Sequence, residues 1–411
     1  MKIGILIVGS AMGILIYLSS QVMAQMGGFN IGKSKVHPGI TLEERYDDNI
    51  FLGNGTNDTT ELKEPDWITL VMPRIGFNHP FPGRGGISFG YNGIFAFYRT
   101  NDENDWRNHQ GLFDLDYQAP GGPFLGINYV YTDAEDPFGN LAQYNTGIKT
   151  KRQLNDLKTE AGYRFGNRSA ILGYYNYYKQ DYDLERDFTQ NYDVNEIGVG
   201  FQRRLLQKTW GFVRYHFGER DYYTHPQGSG VTESNDADFS YHRVNLGLTW
   251  DPGAKLSGEL NFGYLWKKYE NLFDVNGDRY EDLDTWIAGT LINYTISPLT
   301  ALSLGITRAP RVLGSSTNTY FVDTGIGTNL KQMLLARLSL TIGASYNKND
   351  YNQPVNNPRE DDNYRVNVGL TYEIRYWLTT GVGYTYWKKD SNFEEYSFTN
   401  NRFMVSLSAL Y

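Results

Sequence analysis

The chain has 411 residues, no cysteine and a formal net charge of −8. The lack of Cys excludes disulfides, thiolate metal sites and a lipidated Cys anchor, and the acidic balance argues against nucleic acid as a partner. Tyr (33), Phe (22) and Gly (44) are abundant although mean hydropathy is negative, a combination that suits strands apolar on one face only.

Residues 1–24 have the plan of a secretory signal peptide. Lys2 is the only charge there, an apolar run extends from Ile3 to Leu18, and Val22 and Ala24 stand at the −3 and −1 positions of a small-residue cleavage site. Residues 25–38 are expected to form a short periplasmic segment, too small for a plug domain. Residues 39–411 are expected to form one domain. After the signal, nothing approaches the roughly 18 apolar residues of a membrane helix.

Alternation marks the strands. Eighteen are expected, starting near residues 39, 66, 86, 106, 123, 152, 168, 190, 209, 238, 255, 283, 299, 316, 336, 362, 377 and 399. Along Leu157–Phe165, apolar Leu157, Ala161, Tyr163 and Phe165 alternate with Lys158, Glu160, Gly162 and Arg164. Leu260, Phe262, Tyr264 and Trp266 oppose Glu259, Asn261, Gly263 and Lys267, with Leu265 as the exception. The clearest strand sets Tyr364, Val366, Val368, Leu370, Tyr372 and Ile374 against Arg365, Asn367, Gly369, Thr371 and Glu373. The last segment repeats the pattern, with Phe403, Val405, Leu407, Ala409 and Tyr411 on one face. Sixteen strands is the alternative count, because Pro123–Thr132 and Leu299–Arg308 are weak, and Pro73 calls for a bulge or an edge-like site.

Connection lengths separate a membrane barrel from a soluble sandwich. Long acidic or Asn-rich connections such as 48–65, 133–151, 221–237, 269–282 and 348–361 alternate with short turns at 119–123, 166–167, 251–254 and 297–298. Short periplasmic turns and long outer loops are what a transmembrane β-barrel requires. The fold class is therefore all-β, a transmembrane antiparallel up-and-down barrel in the bacterial cell outer membrane, and about 18 strands leave an aqueous lumen.

Parity assigns charged residues to the lumen: Arg45, Arg74, Asp156, Lys158, Glu160, Arg164, Arg204, Arg243, Glu259, Arg365 and Glu373 are the pore-lining candidates. Both signs are near balance, which fits no strongly anion- or cation-selective pore. The charges are expected to pair across neighbouring strands and stiffen the wall, or to face a hydrated, hydroxyl-rich solute. Tyr98, Tyr175, Tyr177, Tyr241 and Trp377 are read as inward aromatics that stack on sugar rings or belong to the rims. The run Asp274–Asp278 lacks the spacing of a calcium loop. The six His residues, His37, His79, His109, His216, His225 and His242, assemble with no nucleophile or carboxylate pair into a catalytic constellation by spacing. No cofactor, metal or catalytic residue is expected.

Two segments carry a family resemblance. His37-Pro38-Gly39-Ile40-Thr41-Leu42-Glu43-Glu44-Arg45-Tyr46-Asp47-Asp48-Asn49-Ile50-Phe51 is a Pro-led first strand ending in Tyr-Asp-Asp-Asn, and Asp66–Phe77 contains Val71-Met72-Pro73-Arg74-Ile75. This resembles the outer-membrane β-barrel porin family of the second type. The resemblance implies the outer-membrane part of an exopolysaccharide secretion route, with outer-membrane lipid around it, polysaccharide as substrate and a periplasmic export protein as partner. The residues alone leave two rivals open, a general diffusion porin with a loop such as 48–65 folded in, and a non-transport barrel displaying surface loops for adhesion.

Overall fold

The computed structural model describes residues 28–56, 62–136, 149–184, 190–222, 237–250, 255–273, 279–312, 320–352 and 358–411. The signal segment, the Asp274–Asp278 run, His225 and the turn 251–254 lie outside them.

Nearly all of the described chain is strand. A short β1 (Phe29–Ile31) precedes β2 (Ser34–Asp47), β3 (Asp66–Phe81), β4 (Gly85–Tyr98), β5 (Trp106–Gln118), β6 (Pro123–Asp136), β7 (Thr150–Phe165), β8 (Ser169–Tyr182), β9 (Tyr192–Leu206) and β10 (Thr209–Tyr222). Then follow β11 (Phe239–Trp250), β12 (Leu256–Tyr269), β13 (Leu283–Ser297), β14 (Thr300–Val312), β15 (Tyr320–Leu335), β16 (Leu338–Asn352), β17 (Glu360–Arg375), β18 (Leu378–Ser391) and β19 (Phe398–Leu410). Each strand from β2 onward pairs antiparallel with the next, and β19 returns to β2 through Leu407↔Leu42. Eighteen strands, β2 to β19, thus close a barrel, so no strand edge is left unpaired in lipid. Both weak segments, now β6 and β14, are full members.

Connection length keeps the alternation read from the sequence. The turns after β3, β7, β9, β13, β15 and β17 are two or three residues, while the segment after β2 runs from Asp48 to Pro65. The short-turn end is periplasmic by this rule.

The outer face is apolar. Ile197, Val199, Phe201, Leu246, Phe262, Val382, Phe403 and Val405 are all exposed, and they share their strand parity with the other outward residues. Aromatic pairs cap this band at both ends. Tyr46–Trp67 (5.3 Å), Tyr264–Trp266 (4.8 Å) and Tyr346–Tyr364 (5.2 Å) lie toward the long-loop end, Tyr163–Phe165 (4.9 Å) and Phe81–Tyr117 (6.3 Å) toward the turns. Amphipathic rings settle at the lipid–water boundary for this reason.

Three expectations are corrected. The barrel wall begins at Ser34, not 39, because Lys35↔Asn78 already pairs β2 with β3 and Ser34 Oγ sits 2.8 Å from His79 Nδ1. Pro73 forces no bulge. The register is the same on either side of it (Val71↔Phe95, Arg74↔Asn92), and only the pairs at 72 and 73 are missing. Gly93 stands opposite, where a Cβ would lie 3.2 Å from the proline ring. Tyr175 and Tyr177 face outward, since β8 turns Ala170, Leu172, Tyr174 and Asn176 inward and leaves Tyr175 40% exposed. Trp377 is in the β17–β18 turn rather than on the inner wall.

Candidate functional site

The inner face of the barrel is the candidate site, and its residues follow from the register. Arg45, Arg74, Asp156, Lys158, Glu160, Arg164, Arg204, Arg243, Glu259, Arg365 and Glu373 all fall on the parity opposite the exposed apolar rows. They do not form one cluster. Arg164, Arg204, Glu259 and Glu373 stand near the periplasmic turns, Arg74, Asp156, Lys158 and Glu160 near mid-height, and Arg45, Arg243 and Arg365 toward the loops.

Inward charges do pair across neighbouring strands, as Arg402 with Asp47 (2.7 Å) and Arg311 with Asp323 (2.9 Å), but two further patterns appear. Some pairs run along a strand, two residues apart: Arg45 with Glu43 (2.6 Å) and Lys158 with Asp156 (2.8 Å). Others cross over an intervening strand. Arg214 of β10 reaches Glu259 of β12 with two bonds (2.9 and 3.0 Å). Arg243 of β11 reaches Glu196 of β9 (2.9 Å), where His216 Nδ1 (3.1 Å) and the Tyr241 hydroxyl (2.8 Å) converge. Such spans require side chains to lie flat on the wall. Inward glycines make the room: a Cβ on Gly218 would meet the Tyr241 ring at 2.4 Å, and one on Gly198 would meet His216 at 2.5 Å. Arg214 with Glu259 and Arg243 with Glu196 are thereby neutralised against the wall.

Toward the outer mouth, cations are boxed by aromatic rings. Arg220 lies 4.1 Å from the Tyr192 centroid, Lys267 lies 4.0 Å from those of Phe239 and Tyr269, and Arg359 lies 3.6 Å from that of Tyr396. Arg359 and Lys389 share the fully buried Asp361 (2.5 and 2.9 Å). Desolvated cation–π contacts of this kind stiffen a rim.

The segment after β2 turns into the barrel. Asp47 accepts from the Asn49 amide (2.9 Å) and from Arg402 Nε (2.7 Å). The Asn49 side chain donates to the Gly53 (2.8 Å) and Thr399 (2.9 Å) carbonyls and accepts from the Gly53 amide (3.1 Å). Asp48 accepts from the Asn401 amide (2.6 Å) and side chain (2.7 Å). The Tyr-Asp-Asp-Asn run is therefore a clasp between β2 and β19. It delivers Ile50 and Phe51 onto the inward Ile68, Leu70, Ala96 and Trp106, with Met72, Ile94 and Tyr98 around them. Leu52 takes a left-handed backbone (φ 55°) to make the turn. The signal available in the sequence was the apolar Ile68 and Leu70 on the lumen parity, together with Ile-Phe-Leu inside a polar loop.

The opposite wall has another chemistry. One register row runs Asn293, Ser303, Asn329, Gly343, Asn367, Thr385 across β13 to β18. Ser345, Thr341, Thr371 and Ser339 flank it on the same face. Asn329, Thr341, Ser345, Asn367 and Thr385 make no side-chain hydrogen bond among the described residues. Rows perpendicular to strands tilted by about 40° wind along the axis, so five strand spacings of about 4.8 Å climb about 15 Å. The lumen thus has a charged, aromatic side on β7–β12, and on β13–β18 this amide–hydroxyl row lies between charged residues that include Asp323, Lys331, Arg365 and Glu373.

A closed barrel with an apolar outer band, two aromatic girdles and a polar lumen defines an outer-membrane β-barrel of the porin class. The chain belongs to the family described as "Putative beta-barrel porin 2", whose sequence profile matches residues 191–411. That span lies beyond the Tyr-Asp-Asp-Asn and Val-x-Pro-x-Ile segments on which the resemblance was read. The chain is also similar to solved structures: the outer membrane protein opdK from Pseudomonas aeruginosa (12% identity, 92% of this chain, 99% of that one, TM-score 0.46) and OccAB4 of Acinetobacter baumannii (12%, 94%, 99%, 0.45). A third is OccK3 (OpdO) of Pseudomonas aeruginosa (11%, 91%, 96%, 0.43). No curated protein matches the chain.

Proposed function

We propose that this outer-membrane channel passes neutral, hydroxyl-rich carbohydrate, and that it serves as the outer-membrane part of an exopolysaccharide secretion route. The observation that carries the reading is the set of Asn329, Thr341, Ser345, Asn367 and Thr385 side chains on β15–β18, facing a wall on which Arg214 pairs with Glu259 and Arg243 with Glu196. Amides and hydroxyls exchange hydrogen bonds with sugar hydroxyls at little net cost, because each replaces a water contact of similar strength. Balanced charges repel neither sign and hold no neutral solute, which suits passage rather than storage. The pore-lining roles of Arg45, Arg74, Asp156, Lys158, Glu160, Arg164, Arg204, Arg243, Glu259, Arg365 and Glu373 are to keep the wall flat and wet, with no covalent chemistry. The secretion route itself, and a periplasmic export protein docked at the short turns, rest on the family resemblance.

The inward Asp48–Thr56 segment favours a second reading, a diffusion porin for small solutes in which the loop narrows the lumen. Conductance of the refolded barrel in planar bilayers, with oligosaccharides of increasing length, separates the two. Current block that grows with chain length supports the polysaccharide duct. Block by mono- and disaccharides alone supports the small-solute porin, and the absence of openings refutes both.

A further inference from the structure

The periplasmic rim carries a cavity outside the lumen. It has a volume of about 410 Å³ and is lined by Lys33, His79, Pro80, Phe81, Pro82, Arg84 and Tyr117. Lys33 comes from the β1–β2 turn, Arg84 from the β3–β4 turn and Tyr117 from the end of β5. His79, Phe81 and Tyr117 share the outward parity of Ile75 and Phe89, so the cavity opens on the lipid side.

Its chemistry is that of an anion site at a membrane boundary. No carboxylate lines it, and Asp114 and Asp116 on β5 face the lumen instead. Lys33 and Arg84 have no ion-pair partner among the described residues. Ser34 Oγ engages His79 Nδ1 at 2.8 Å, which fixes the ring and leaves Nε2 as its remaining polar atom. His79 and Phe81 meet edge-on at 5.8 Å, and Phe81 and Tyr117 at 6.3 Å. Beyond them toward the bilayer centre lie Phe77 and Phe89 (6.2 Å), then Phe113 against Phe89 (5.3 Å). Cations at headgroup level above a continuous apolar aromatic strip match a molecule with a phosphate at one end and acyl chains at the other.

We propose that this cavity holds the phosphate of a phospholipid of the periplasmic leaflet, with Lys33 and Arg84 on the phosphate oxygens and the acyl chains along Phe77, Phe89 and Phe113. The site anchors the start of the barrel, where β1 and β2 meet the β3–β4 turn, to the inner leaflet.

The test is native mass spectrometry of the purified full barrel, released from phosphatidylglycerol nanodiscs into a neutral detergent. The Lys33→Ala/Arg84→Ala double variant is compared with Arg203→Ala, which removes an outward, exposed charge from the same rim on β9. The parent and R203A are expected to retain one phosphatidylglycerol, and the double variant to lose it about thirtyfold more readily, from the usual contribution of two interfacial cations. Lys33→Arg with native Arg84 is expected to restore retention. Heat-modifiable gel mobility confirms that each variant is folded. Equal loss in R203A, or no difference between the parent and the double variant, overturns the site. Binding of inorganic phosphate without lipid retention makes it a soluble-anion site and overturns the lipid assignment.

Discussion

The clasp that turns the Asp48–Thr56 segment inward can be undone without touching the barrel wall. Asn49 is fully buried and makes three side-chain hydrogen bonds, two to Gly53 and one to Thr399. Each contributes about 0.5–1.5 kcal/mol net. Ile50 is 5% exposed within the inner apolar cluster, and its truncation to Ala costs about 2–5 kcal/mol. The two positions are adjacent, so their effects will not add fully. Even the low end of the sum, about 3.5 kcal/mol, reduced by non-additivity, shifts the docked-to-undocked ratio by about two orders of magnitude. Asn49→Ala/Ile50→Ala is therefore expected to raise mean single-channel conductance and current noise, and to expose Asp48–Thr56 to protease on intact cells, while heat-modifiable mobility stays that of a closed barrel. Conductance and protease resistance identical to the parent would refute the inward clasp.

Three further outcomes follow from the wall. Glu259→Leu alone strands the 4%-exposed Arg214 side chain and is expected to cost about 3–5 kcal/mol in urea unfolding, whereas adding Arg214→Met recovers most of it; additive losses would contradict the paired geometry. Gly218→Ala puts a methyl 2.4 Å from the Tyr241 ring, so the ring must swing toward the axis and single-channel conductance should fall, and an unchanged conductance would show that the ring has room elsewhere. Val405→Lys on the outer face should weaken folding into vesicles by about 2–4 kcal/mol if it lies near the bilayer midplane, while Ser406→Lys next to it should be nearly neutral; the reverse order would invert the assigned faces.

How much of this was legible in the sequence depends on how one-sided each strand is. Tyr364–Ile374 separates its chemistry completely, and its faces could be assigned on sight. The Tyr174-Tyr175-Asn176-Tyr177-Tyr178 run is aromatic on both parities, so only the Glu160↔Tyr174 register decides which rings face the lumen. The alternation of long connections with short turns favoured eighteen strands, while the weak alternation of β6 and β14 left sixteen open. Positions of the charged residues followed from parity, and so did neighbour-strand pairs such as Arg402 with Asp47, but pairs that span an intervening strand did not, because they depend on which inward neighbour is glycine. The neutral row on β13–β18 was hidden for a simpler reason: a search for charges passes over Asn, Ser and Thr. The inward loop entered only as part of the diffusion-porin rival, although Ile68 and Leu70 on a lumen parity required a cover.

In the proposed channel the odd-numbered face of β17 lines a water-filled path. The chain lacks cysteine, so single Cys substitutions at each position from Tyr364 to Glu373 report directly, using a membrane-impermeant, charged thiol reagent on channels conducting in a bilayer. Modification at 365, 367, 369 and 371 with a stepwise drop in current, and none at 366, 368 and 370, is the expected result. Reaction on both parities, or modification at 367 and 369 without any change in current, would contradict it.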